Sequence, residues 1–96
     1  MGDTETTFAE LKARIAATIA FLDTIKKSDI DARDTATIDL PLPTGTMHFT
    51  APDFLMTFAL PNFLFHVTTA YGLLRAQGVP LGKMDYLAGG QMAAAA

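Results

Sequence analysis

The chain has 96 residues, half of them hydrophobic and 18% charged, so it holds at most one small domain and is too apolar to be disordered. A net charge of −3 and scattered basic residues, with Lys26–Lys27 the only adjacent pair, argue against a nucleic-acid partner. Without cysteine there is no disulfide staple, no thiolate nucleophile and no cysteine-based zinc site, a composition compatible with the cytoplasm.

Residues 1–7 are acidic and polar and lack the basic and apolar regions of a signal peptide. Thr7 followed by Glu10 has the spacing of a capping box, in which each side chain bonds the other residue's backbone N–H. Phe8, Leu11, Ile15, Ile19, Leu22 and Ile25 then recur at three- and four-residue steps, which predicts a helix over 8–27 with one apolar stripe. Lys12, Arg14 and Asp23 fall outside the stripe, where water reaches them, and Ala13, Ala16, Ala17 and Ala20 permit close approach of another helix. Lys26 and Lys27 suit a helix C-terminus, whose dipole favours cations, and Asp29, Asp31 and Asp34 read as a solvated loop.

Beyond that loop the period changes. Ile38, Leu40 and Leu42 alternate with Thr37, Asp39 and Pro41, and Met47 and Phe49 resume alternation after the turn signal Pro43-Thr44-Gly45-Thr46. A hairpin pairing 36–42 with 46–50 is expected, as an edge ribbon, because Pro41 and Pro43 donate no backbone hydrogen bond. Thr50 and Asp53 form a second capping-box spacing with Pro52 in the first turn, so a second helix starts there. Pro61 should kink it by forcing Leu60 out of helical geometry, and Gly78 and Pro80 should end it near residue 77. Its apolar positions are Leu60, Phe63, Leu64, Val67, Ala70, Tyr71 and Leu74. The most apolar run, Phe54 to Leu74, is broken by Pro61, Asn62 and His66 and falls short of the ~20 mostly apolar residues of a membrane span. One domain over 1–87 is expected, followed by a flexible Gly/Ala-rich tail over 88–96.

Two helices with wide apolar faces cannot cover each other, so the mainly α chain should be completed by dimerisation, two copies supplying four helices around a two-fold axis. The concentrated polar residues are Asn62, His66, Thr69 and Tyr71. Asn62, His66 and Thr69 share a helical face at steps of four and three. His66 suits a metal ligand, a general base or a hydrogen-bonded core residue, and because its partner four residues earlier, Asn62, is a poor ligand, a satisfied histidine that is buried or interfacial is expected ahead of a metal site. His48 has less support. The carboxylates offer no acid–base pair, and Ser28, the sole serine, has no histidine near it in sequence.

The stretch ALPNFLFHVTTAYGLLRAQGVPLGK from Ala59 to Lys83, with TFAELKARIAAT from Thr7 to Thr18, resembles the DUF1993 family, a branch of the DinB/YfiT-like four-helix-bundle superfamily. Together the two motifs cover most of residues 4–87. The resemblance implies half of a DinB-like bundle, the C-terminal half, with the two leading helices absent. Many DinB-like proteins carry a three-histidine metal site, one ligand on an early helix and two in an H-x-x-x-H on the last. In that register His66 takes the place of the second of these two, Asn62 stands where the first would be, and the early-helix ligand is missing. The implied protein is a homodimer or larger oligomer of bacterial type, without assigned catalysis and without a cofactor. The alternative it implies is a metal-dependent hydrolase or transferase, with zinc or nickel held by His66 and assisted by Asn62 or Tyr71. A separately encoded N-terminal half is the other partner it allows.

Overall fold

Thr7 and Glu10 start the first helix as their spacing requires. In the computed structural model, which describes residues 2–87, α1 runs Phe8–Asp23. The Glu10 N–H donates to Thr7 Oγ1 at 3.2 Å, and Glu10 Oε2 accepts from the backbone N–H of Thr7 at 3.0 Å and of Thr6 at 2.7 Å. Those donors, Thr6 first, hold the Glu10 carboxyl below its ordinary 4.5. A lowered folded value means that the cap's contribution is complete above the unfolded value and lost as pH falls through the folded one. Helical circular dichroism should therefore drop below pH 4.5. In Glu10→Gln, whose amide still accepts but does not titrate, the drop should be smaller; equal acid losses in both proteins would remove this role for Glu10.

The N-terminal segment folds back along α1. Arg14 Nη1 donates to Glu5 Oε2 at 2.6 Å, Asp3 Oδ1 at 2.9 Å and the Gly2 carbonyl at 3.2 Å. Arg14 is thus half-buried under residues 2–5 and not open to water as expected.

α1 stops at Asp23, short of the expected residue 27. The Thr24 hydroxyl donates to the Phe21 carbonyl at 2.6 Å, and Lys26 turns extended (φ −94°, ψ 150°). Lys26 then precedes a short helix, α2 (Lys27–Asp31), in which Asp29 Oδ2 accepts from the Lys26 N–H at 3.0 Å and Lys27 pairs with Asp31. The expected solvated loop is corrected accordingly: Asp29 serves the new helix start and Asp31 forms an i, i+4 ion pair.

The hairpin forms within a residue of its expected limits. β1 (Thr37–Leu42) and β2 (Gly45–Thr50) pair antiparallel with Leu42 opposite Gly45 and Thr37 opposite Thr50, leaving Pro43 and Thr44 as the turn. Gly45 takes φ 138°, a conformation side chains disfavour. Ile38, Leu40 and Phe49 are half-buried on one face, and the Ala51 N–H closes the ribbon's base on the Ala36 carbonyl at 3.0 Å.

The described chain divides into two units, one reaching Ala51 and one starting at Pro52. From that border on, the chain is helical through α3 (Ala51–Asp53), a π-helical stretch π1 (Phe54–Ala59) and α4 (Leu60–Ala76). Here the expectation for Leu60 fails. Leu60 stays helical (φ −65°, ψ −50°), and its N–H reaches back five residues to the Leu55 carbonyl. A proline ring clashes with the carbonyl four residues earlier, here Thr57. Wider turns before Pro61 displace that carbonyl, so the helix absorbs the proline without breaking. Within π1 the rings of Phe54 and Phe58 stack with centroids 5.5 Å apart.

α4 ends as its glycine dictates. Gly78 takes φ 88°, the Val79 N–H donates to the Leu74 carbonyl at 3.1 Å and the Gly78 N–H to the Arg75 carbonyl at 3.0 Å, a complete Schellman cap. A last short helix, α5 (Lys83–Tyr86), follows, its entry fixed by Asp85 Oδ2 accepting from the Gly82 N–H at 2.7 Å. The tail expected over 88–96 lies outside the described residues. No described helix is long and apolar enough to cross a membrane. Among the described residues no side chain is buried, so neither unit has a closed core.

Candidate functional site

α4 sorts the four candidate residues by rotation. At 3.6 residues per turn, Asn62, His66 and Thr69 stay within one narrow face, whereas Tyr71 falls about half a turn away from Asn62. The three on the first face are exposed, and the His66 ring meets Phe65 edge-on at 5.5 Å. Tyr71 is half-buried on the other side, where its ring packs edge-on against Tyr86 of α5 at 5.3 Å. The four residues therefore do not form one site.

A metal centre at His66 can be tested on its donors. A structural or catalytic ion needs three or more imidazole or carboxylate ligands. Among the described residues no group of three His, Cys, Asp or Glu side chains is placed to hold one. Asn62 offers only a neutral amide, and the rest of the face is Thr69 and Leu73. These residues do not fit a three-histidine centre.

Around Tyr71 the arrangement is richer. Thr68, Tyr71, Gly72 and Arg75 of α4, with Gly82, Lys83 and Tyr86, line a cleft of about 270 Å³. The Schellman turn at Gly78 sends the chain back so that α5 meets α4, and the two tyrosine rings hold it there. The Thr68 hydroxyl donates to the Leu64 carbonyl one turn earlier. The sequence showed Tyr71 but not its companions, because Tyr86 and Lys83 reach the cleft only through the turn at 78–82.

A second pairing joins Asp39 and His48, which face each other across the hairpin with Nδ1 and Oδ1 2.7 Å apart. Counting outward from the turn at Pro43 and Thr44 would have paired them. Both side chains are largely exposed, His48 at 72% and Asp39 at 65%, so the pair is worth about 0–1 kcal/mol to the fold.

Neither a curated protein nor a solved structure matches the chain. A family model does, over residues 1–87, with the description "domain of unknown function", DUF1993. On the strength of that match over nearly its whole length, the chain belongs to the DUF1993 family.

Proposed function

We propose that the protein works as a self-associating helical protein of DinB-like architecture, in which two copies contribute the helices of one four-helix bundle and no catalysis is assigned. The observation that carries this reading is the open apolar stripe of α1. Phe8 is 85% exposed, Ile15 59%, Ile19 54% and Leu22 59%, in a chain with no buried side chain among its described residues. Phe63 at 60% and Leu64 at 47% extend the same condition to α4. Fully burying one such side chain is worth about 1.5–3 kcal/mol, so half-burying these six recovers roughly 5–9 kcal/mol per copy. That is comparable to the whole stability of a small domain.

Sedimentation of the purified chain across micromolar concentrations tests the reading. A dimer or larger species with cooperative unfolding is the expected result, and a folded compact monomer would sink it. If the partner were instead a separately encoded pair of helices, the purified chain would remain monomeric and melt without cooperativity.

A further inference from the structure

The cleft between α4 and α5 has the makings of a ligand site that the self-association reading does not use. Two cationic side chains, Arg75 and Lys83, line it together with the phenols of Tyr71 and Tyr86. Among the described residues neither cation has an ion-pair partner, in contrast to Arg14, which is held by Asp3 and Glu5, and Lys27, which is held by Asp31. Nor does either phenol oxygen have a hydrogen-bond partner there. Asp85, the one acid of this turn, has its Oδ2 engaged by the Gly82 N–H at 2.7 Å. The α4 carbonyls that would repel an anion are occupied as well, Leu74 by Val79 and Arg75 by Gly78. In a chain of net charge −3, this leaves a local cationic cleft with hydroxyl donors beside it.

We propose that this cleft binds a small doubly charged oxyanion of the phosphate class, with Arg75 and Lys83 supplying charge-assisted hydrogen bonds and Tyr71 and Tyr86 donating from their hydroxyls. Two separate cations suit a dianion, since one guanidinium already satisfies a single carboxylate. The cleft is lined by both of the chain's tyrosines, and the chain has no tryptophan. Its intrinsic fluorescence therefore reports on this cleft alone.

The test is a tyrosine-fluorescence titration of the full chain with inorganic phosphate at constant ionic strength, with acetate as the singly charged control. A saturable change with phosphate and none with acetate is expected. Arg75→Gln and Lys83→Gln, checked for unchanged circular dichroism, should each weaken phosphate binding at least tenfold, about 1.4 kcal/mol. The proposal is overturned by a phosphate titration without saturation, by acetate saturating at the same concentration, or by midpoints unchanged in both variants. Tyr71→Phe provides a reading independent of charge: it retains the ring contact with Tyr86, and an unaltered phosphate midpoint in it would remove the phenol's role.

Discussion

Ile19→Asp should abolish self-association. Ile19 lies mid-stripe on α1 and is 54% exposed in the single chain, so a partner helix covering the stripe would enclose the new carboxylate among apolar side chains. An unpaired buried charge costs several kcal/mol, which weakens a dimer built on this stripe by at least a hundredfold. Sedimentation velocity at micromolar concentration should show a slower, poorly folded species. Arg33→Asp, a charge reversal in the exposed turn after α2, should sediment like the parent. An Ile19→Asp chain that sediments and melts like the parent would show that the α1 stripe is not the interface.

The second large effect lies at the end of α4. Gly78 sits at φ 88°, where a side chain costs about 1–2 kcal/mol and a β-branched one is worst placed. A Cβ there would meet nothing within 4 Å, so the cost is conformational and repacking cannot relieve it. Gly78→Val should lower the melting temperature by about 5–15 °C. Gly72→Ala should do the reverse. Gly72 is within α4, its added Cβ also meets open space, and replacing a mid-helix glycine gains about 0.5–1 kcal/mol. Thermal melts of the two variants should therefore move in opposite directions. A Gly78→Val melt at or above the parent's would mean that the left-handed cap is not holding α4's end.

Local signals were read most faithfully where one residue type decides the geometry. Thr7 with Glu10 placed the start of α1, the two-residue alternation placed the hairpin, and Gly78 placed the end of α4. Where two local preferences compete, the pattern misled. The apolar spacing carried α1 on to Ile25, but the Thr24 hydroxyl and the Asp29 cap together divided it. The rule for residues before proline put Leu60 outside helical geometry, yet the helix had another way to make room. The candidate site was legible only as far as one helix face goes. Asn62, His66 and Thr69 could be grouped by counting, whereas the Tyr71 cleft depends on a chain reversal that no periodicity encodes.

The stretch from Phe54 to Ala59 also resets the angular phase of everything that follows it. Each hydrogen bond that spans five residues instead of four takes in one residue more than an α-helix would, a slip of about 100° per extra residue. Side chains before Phe54 and after Leu60 therefore cannot be assigned to faces by one continuous helical wheel. Deleting one residue within 54–59 could be taken up by tightening the winding, leaving the direction of α4's faces unchanged, whereas the same deletion within α4 would rotate the Tyr71 cleft away from its partners. The wide turns work as a vernier, making the helix tolerant of length changes on one side of Pro61 and intolerant on the other.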